Sequence, residues 1–238
     1  ARARGIEIGT RDLTQGAGAY LSFLAQLLKA QSVVEVGTGS GVGALWLLDG
    51  MLKSGTLTSI DDEAEHSSIA KLAFADADIA PQRFRLITNP VMEVMTKLTD
   101  RAYDLVVYRH NPEDLTYAIS EAQRILRSGG VFVIDNFFGG GKVSDPAQRD
   151  SKTVALREAG KVLRSDNEVW STTLIPVGDG LLLATTISGF ADTHAAAASA
   201  ANLTHAGKIP VSAIVVPILG ALSSNTLSKC FMAWIAGG

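Results

Sequence analysis

The 238-residue sequence predicts an α/β fold, a parallel sheet with helices on both faces. Short apolar runs alternate with amphipathic stretches of helical length, which is the pattern of repeated β/α units. The predicted order is helix 15–28, strand 33–36, helix 42–52, strand 56–61, helix 63–75, strand 84–88, short helix 91–98, strand 103–108, helix 113–126, strand 131–135 and helix 153–164. Five parallel strands follow from this order.

The end of the α/β region predicts a hairpin. Two strand-like runs, 170–177 and 181–186, are separated only by Gly178-Asp179-Gly180, and such short Gly/Asp connections join antiparallel strands. We therefore expect five parallel strands followed by a terminal antiparallel hairpin, seven strands in all.

A glycine-rich turn follows the first predicted strand, in V-V-E-V-G-T-G-S-G-V-G from Val33 to Gly43. Such a turn lets the backbone approach a ligand closely, and in dinucleotide enzymes that ligand is a pyrophosphate. Here Glu35 stands two positions before Gly37, and a carboxylate suits a cation. S-adenosylmethionine carries a sulfonium and an ammonium, so the turn favours a methyl donor, with Glu35 holding the ammonium. The alternative for Glu35 is a strand-end carboxylate that satisfies local amides.

The residues from Gly39 to Ala44 also fit a loose G-x-G-x-x-A, so a nicotinamide-dependent dehydrogenase stays as the alternative within the α/β class. Asp61 ends the second predicted strand, about 20 residues after the turn, where an acid binds ribose hydroxyls in nucleoside-binding folds. Asp62 could share or replace that role. Alternatively, the two acids begin the next helix.

Composition narrows the ligand and the compartment. The net charge is −3, basic residues are not clustered and aromatic residues are few. We therefore expect a small neutral or anionic acceptor as the partner, and not nucleic acid. The single cysteine, Cys230, excludes an internal disulfide and suits a cytoplasmic location. The sequence starts at Ala1 without an initiator Met, so we expect the natural start to precede it.

Four motifs carry a resemblance to a known family. They are V-E-V-G-T-G-S-G in the glycine turn, G-T-L-T-S-I-D-D-E-A-E-H from Gly55 to His66, Y-D-L-V-V from Tyr103, and R-I-L-R-S-G-G-V-F-V-I-D-N from Arg124. In order and spacing they resemble class I S-adenosylmethionine-dependent O-methyltransferases of the catechol and caffeoyl-coenzyme A type, over about residues 13–186.

The resemblance implies a Rossmann-like sheet, a small hydroxylated acceptor and a homodimer. It also completes the expected donor site, which is Leu13, Glu35, Gly37, Thr38, Gly39, Ser40, Gly41, Gly43, Asp61 and Asp62. Relatives often have Ser where this chain has Gly43.

The same resemblance predicts a metal site that this chain does not complete. In the family an Asp after the fourth strand and an Asp-Asn pair after the fifth hold a divalent cation, beside a Lys that helps deprotonate the acceptor. Asp135-Asn136 matches the pair, but Arg109 stands at the other Asp and Pro112 at the Lys. A guanidinium repels a hard cation, so we expect the metal to be impaired or absent.

Arg109, His110 and Asp135 are the candidate catalytic residues. Arg109 could replace the metal by pairing with Asp135, or it could clamp a carboxylate or phenolate acceptor; alternatively it is a solvent-exposed strand-end residue. His110 is a candidate general base, and its alternative is an exposed loop histidine without function.

Residues 188–238 differ from the preceding 187, since they are rich in alanine and apolar residues and carry only Asp192, Lys208 and Lys229 as fixed charges. We expect an apolar helical tail outside the methyltransferase domain of residues 1–187. It resembles the end of bacterial multi-helix membrane proteins in G-F-A-D from Gly189 and S-N-T-L-S-K from Ser224. Three interpretations stay open: a packed appendage, a membrane-associating module, or a segment joined from an unrelated protein.

The sequence thus predicts an S-adenosylmethionine-dependent O-methyltransferase. Two alternatives remain. One is a module that binds the donor without catalysis, and the other is a membrane-associated protein that carries a methyltransferase-like domain through residues 188–238.

Overall fold

The computed structural model describes residues 1–187, and Ala1–Thr186 form one compact unit. The helices are α1 (Arg2–Glu7), α2 (Gln15–Leu27), α3 (Val42–Gly50), α4 (Ala64–Asp76), α5 (Val91–Met95), α6 (Leu115–Ile125) and α7 (Ser151–Ser165). The strands are β1 (Ser32–Val36), β2 (Thr56–Asp61), β3 (Phe84–Thr88), β4 (Tyr103–Tyr108), β5 (Leu126–Ile134), β6 (Trp170–Ile175) and β7 (Leu181–Thr186). The predicted tail, 188–238, lies outside the described residues.

All seven strands form one sheet in the order β3-β2-β1-β4-β5-β7-β6. The first five are parallel, and β7 lies antiparallel between β5 and β6. The predicted five parallel strands and terminal hairpin are therefore confirmed.

Each face of the sheet has its own hydrophobic core. Val34 and Val36 of β1 point to the side where α5, α6 and α7 pack, while Val33 points to the side of α2, α3 and α4. This alternation buries both faces of the parallel strands. Side-chain caps begin two of the helices: the Thr14 hydroxyl accepts from the amide of Ala17 in α2, and Asp150 accepts from the amide of Thr153 in α7.

The main differences from the sequence prediction are one added helix and two shifted element boundaries. The short helix α1 has no counterpart in it. The predicted helix 113–126 begins instead with a 3₁₀ turn at Pro112–Asp114, because proline fits the first turn of a helix. Strand β5 begins at Leu126 rather than at 131, because Leu126 pairs with Tyr103 ahead of a register shift in β4. Among residues 1–187 no helix is both long enough and apolar enough to cross a bilayer.

Candidate functional site

The carboxyl ends of the parallel strands bring the predicted site residues to one edge of the sheet. Glu35 lies near the end of β1, Asp61 ends β2, and Arg109 and Asp135 directly follow β4 and β5. Ligands bind at this edge in open α/β sheets. Strand order therefore places together residues that are far apart in the sequence.

The turn after β1 adopts a conformation that requires glycine. Gly37, Gly39 and Gly41 have φ angles of 94°, 51° and 83°, in the left-handed region that other residues rarely adopt. At Gly37 a Cβ would also lie 2.5 Å from the carbonyl oxygen of Arg109. The turn is thus packed directly against the end of β4.

Asp61 holds this turn in place. Its Oδ2 accepts from the amide of Gly39 at 3.0 Å, while its Oδ1 accepts from the amide of Glu63 at 3.0 Å and contacts Nδ1 of His66 at 2.9 Å. The side chain is buried, so its predicted contact with a ribose requires a ligand to enter this network. His66 was not predicted, although its position five residues after Asp61 is visible in the sequence.

Asp62 directly follows β2, and its carboxylate contacts the start of α5 and the segment after β4. Its Oδ1 accepts from the amide of Val91 at 2.8 Å, at the start of α5, and its Oδ2 lies 3.3 Å from Nε2 of His110. Asp62 therefore contacts His110 on the acceptor side, which the sequence did not predict.

Three further residues of the predicted donor site are buried by protein groups. Thr38 shares a 2.7 Å hydrogen bond with Ser59, Ser40 donates to Oδ1 of Asp12 at 2.6 Å, and Leu13 lies in the core. Asp12 was missed, because nothing in the sequence relates it to the turn 28 residues later.

Glu35 is completely buried. The Ser59 hydroxyl donates to its Oε2 at 2.7 Å, and Nη1 of Arg109 lies 3.4 Å from its Oε1. Burial raises the pKa of Glu35 to about 7, although the Arg109 charge and the Ser59 hydrogen bond act to lower it. A ligand ammonium, as predicted for this position, reaches Glu35 directly only if Arg109 moves aside.

Arg109 is buried, so the alternative of a solvent-exposed strand-end residue is wrong. Its side chain is 6% exposed, because β4 lies in the middle of the sheet and the segment before α2 covers its end. Nε lies 3.4 Å from Oδ2 of Asp135, and Nη2 donates to the carbonyl oxygen of Arg11 at 2.9 Å. Pairing with Asp135 was one of the two roles that the sequence left open for Arg109, and this contact is present.

The family's metal ligands do not fit a divalent cation here. The Arg109 guanidinium lies 3.4 Å from Oδ2 of Asp135, and its charge repels a cation. Asn136, with φ of 61°, supplies one amide oxygen. Within the part of the chain that the structure describes, no three His, Cys, Asp or Glu side chains are grouped as a metal site.

A cavity of about 370 Å³ opens beside these residues, between the ends of β4 and β5 and the start of α7. Its apolar lining includes Tyr108, Leu115, Ile134 and Leu156. Its polar lining includes Arg109, His110, Asp135, Asn136, Lys142 and Lys152. The volume lies within the range of pockets for small molecules.

Two polar atoms of this cavity's lining residues are buried without a hydrogen-bond partner: Nδ1 of His110 and Oδ1 of Asn136. Among the described residues they are the only buried side-chain nitrogen or oxygen atoms without one. The His110 side chain is 23% exposed and contacts Asp62, so it is not the freely exposed loop histidine of the alternative interpretation.

Comparison with known proteins gives a consistent result. A family model described as O-methyltransferase matches residues 7–187. A second model, a domain of unknown function designated DUF4010, matches residues 175–237. A Mycobacterium sp. (strain JLS) protein whose provisional name is O-methyltransferase is 46% identical over 184 residues, which is 77% of this chain and 83% of that protein. A relative with the same provisional name from Mycobacterium tuberculosis (strain H37Ra) is 45% identical and covers 77% of this chain and 82% of its own length.

Solved structures agree with the sequence comparisons. A Corynebacterium glutamicum protein superposes with a TM-score of 0.73 at 30% identity, over 78% of this chain and 87% of that chain. The O-methyltransferase TomG of Streptomyces achromogenes, solved in complex with S-adenosylmethionine, has a TM-score of 0.69 at 25% identity, over 78% of this chain and 89% of that chain.

Proposed function

The chain belongs to the O-methyltransferase family, and we propose that it transfers a methyl group from S-adenosylmethionine to a hydroxyl of a small molecule without the family's divalent metal. The donor assignment is supported by the glycine turn, which Asp61 holds at the carboxyl edge of the sheet, and by the donor bound to TomG. The absence of the metal is supported by Arg109, whose charge pairs with Asp135, one of the two remaining family ligands.

The single observation that supports the acceptor most directly is that two residues lining the cavity, His110 and Asn136, each hold a buried polar atom without a hydrogen-bond partner, Nδ1 and Oδ1. A buried polar atom without a partner destabilises the fold by about 1–3 kcal/mol. Both atoms accept hydrogen bonds when Nε2 of His110 carries its proton toward Asp62. A hydroxylated acceptor supplies the donors that these atoms lack once the two side chains turn them toward the cavity.

The reaction is a direct displacement at carbon. The acceptor oxygen forms a bond to the methyl carbon, the carbon–sulfur bond breaks, and sulfur keeps the electron pair to give S-adenosylhomocysteine. Proximity and orientation supply much of the rate of such a step. The side chains therefore need to align the hydroxyl with the methyl group and remove its proton.

We assign proton removal to His110. Its Nε2 lies 3.3 Å from the carboxylate of Asp62, so Nδ1, the ring nitrogen without a protein partner, is the one that takes the acceptor proton when the ring turns toward the cavity. The charge of Arg109, held by Glu35 and Asp135, favours negative charge developing on the acceptor oxygen. Arg109 thereby replaces the electrostatic role of the metal.

Calorimetry with the donor and a methyl-transfer assay on vicinal dihydroxy compounds in EDTA test this function. His110→Gln should bind the donor as the wild type does while kcat falls by about 10²- to 10⁴-fold, the usual contribution of a general base. A wild type that binds the donor and turns over no acceptor would instead support a binding module. Equal turnover by wild type and His110→Gln would refute the assignment of the base.

We further propose that the protein forms a homodimer in the cytoplasm. We also propose that residues 188–238 are a unit outside the methyltransferase domain. Phe23 and Leu27 support the dimer, since they lie one turn apart on α2 and are both exposed. The separate tail is supported by the two family models, since the first ends at residue 187 and the second, which overlaps it from residue 175, continues to 237. Light scattering of the full chain, compared with Phe23→Ser/Leu27→Ser, tests the dimer.

A further inference from the structure

We propose that the acceptor carries an anionic group, a carboxylate or a phosphate, and that the ammonium groups of Lys142 and Lys152 bind it. This inference rests on the proposed function, because it concerns the cavity that holds the acceptor hydroxyl. Its basis is the distribution of charge around that cavity.

Cations outnumber anions in the lining. Arg11, Arg109, Lys142 and Lys152 carry positive charge, whereas Asp135 and Asp150 are the lining carboxylates. A cavity lined with an excess of one sign concentrates ligands of the opposite sign.

The two lining carboxylates are already engaged. Asp135 pairs with Arg109. Asp150 caps α7, where its Oδ1 accepts from the Thr153 amide at 3.1 Å and its Oδ2 from the Thr153 hydroxyl at 2.8 Å. These hydrogen bonds from Thr153 lower the pKa of Asp150, and the charge of nearby Lys142 lowers it further. Asp150 is thus an ionised capping group.

Two of the four cations also have protein partners. Arg109 is balanced by Glu35 and Asp135, and Arg11 lies 3.1 Å from Asp179. Lys142 and Lys152 differ, because neither makes an ion pair or a side-chain hydrogen bond with any residue in 1–187, although their charges act on the nearby Asp150 and Glu113. Both lysines are exposed residues of the cavity lining.

The position of Lys152 is unfavourable for the helix itself. It is the second residue of α7, where the positive end of the helix dipole repels a cation. The acid that faces it is the exposed Glu113, whose pKa is lowered mainly by a hydrogen bond from Ser151. The charge of Glu113 offsets part of this repulsion, and a bound anion would offset the rest.

The remaining lining defines the rest of the acceptor. Leu115, Ile134 and Leu156 give the cavity an apolar wall, while His110 and Asn136 are the lining residues that hold a buried, unsatisfied polar atom. The molecule that matches all three parts has an apolar body with a hydroxyl at one end and an anionic group at the other. A small hydroxylated aromatic acid fits this description.

A matched set of acceptors tests the inference on the full chain. Methyl transfer is measured with 3,4-dihydroxybenzoate, 3,4-dihydroxyphenylphosphate, the neutral 3,4-dihydroxybenzamide and catechol. We expect kcat/KM to be at least tenfold higher for the two anions than for the two neutral acceptors.

Lys142→Gln/Lys152→Gln should remove this preference through KM, and Lys142→Glu/Lys152→Glu should reverse it. The control is Lys161→Gln, because Lys161 lies on α7 outside the cavity and pairs with Glu158 at 2.7 Å.

The outcomes separate this inference from the proposed function. Equal use of the benzamide and the benzoate overturns the anion site and leaves methyl transfer intact. If no acceptor is methylated, binding of 3,4-dihydroxybenzoate is measured by calorimetry with S-adenosylhomocysteine present. Binding that depends on the two lysines then supports the anion site although methyl transfer has failed, and no binding overturns the anion site.

Discussion

Arg109 and Glu35 form an ion pair inside the fold, with Nη1 3.4 Å from Oε1 and side chains that are 6% and 0% exposed. The pair joins the donor turn to the acceptor cavity, since Arg109 also contacts Asp135. Loss of one partner of a buried pair leaves an uncompensated charge, which is far more destabilising than replacing both partners.

Arg109→Met should lower the free energy of unfolding by roughly 3–5 kcal/mol at pH 8, because Glu35 and Asp135 then lack their cation. The double variant Arg109→Met/Glu35→Gln should recover part of this loss. Unfolding in urea measures the free energy of unfolding of each variant. The exposed Arg149→Met is the control and should change stability by less than about 0.5 kcal/mol. A loss below about 1 kcal/mol for Arg109→Met would contradict the buried pair.

The pKa of Glu35 predicts a pH dependence of stability. Burial raises this pKa from 4.5 to about 7, so the folded state holds the proton through a range in which the unfolded state has lost it. The proton on Glu35 therefore contributes its full stabilisation of the folded state below about pH 4.5. This stabilisation disappears as the pH rises through 7, which lowers the free energy of unfolding by on the order of 3 kcal/mol. Unfolding of wild type and Glu35→Gln at pH 5 to 8 isolates it. A wild-type-minus-variant difference that is constant over this range would refute the raised pKa.

Gly43→Ala should destabilise the protein by about 1–3 kcal/mol, an overpacking effect. Alanine normally stabilises a helix relative to glycine, but in α3 a Cβ at position 43 would overlap Oε1 of Glu35 and lie 2.7 Å from Nη1 of Arg109. Gly16→Ala in α2 is the matched control, since its Cβ would meet only the Val177 side chain at 3.3 Å. If Gly43→Ala has the higher midpoint of thermal unfolding, the packing described here is wrong.

Asp61→Asn should weaken donor binding by at least about tenfold, because the turn loses hydrogen bonds to a charged acceptor. The fold should persist, since the amide oxygen still accepts from one of the amides of Gly39 and Glu63. Calorimetry with S-adenosylhomocysteine measures the effect. Asp49→Asn, an exposed change at a residue whose side chain bonds to Ser22 alone among residues 1–187, should leave the affinity unchanged. Equal affinities for the two variants would remove Asp61 from the donor site.

Chelation of divalent metal should change the initial rate by less than about twofold, because Arg109 already neutralises Asp135. The rate is compared in EDTA and in Mg²⁺ with the same acceptor. Strong stimulation by Mg²⁺ would show that Arg109 moves away and that an ion enters. Arg109→Asp, which supplies the acid that the family has at this position, should bind Mg²⁺ more tightly than the wild type does. Calorimetry measures this binding.

The sequence predicted the donor side of the site better than the acceptor side. Gly37, Gly39 and Gly41 were identified because glycine marks a backbone conformation that depends on local sequence. Lys142 and Lys152 were missed, because an exposed lysine has no signal of its own until a cavity lies beside it. Asp12 and Ser59 were missed for a similar reason, since each acquires its role through a partner more than 20 residues away.

The sequence by itself determined the order of strands and helices, the glycine turn and the terminal hairpin, because these depend on local periodicity and turn chemistry. The tertiary structure alone decided which partners the charged groups have and whether they are buried. Strand β4 pairs with β1, which brings Arg109 to Glu35 across 74 residues of sequence and takes both out of water. Burial and strand neighbours set the partner and the pKa of a carboxylate, and neither follows from local sequence.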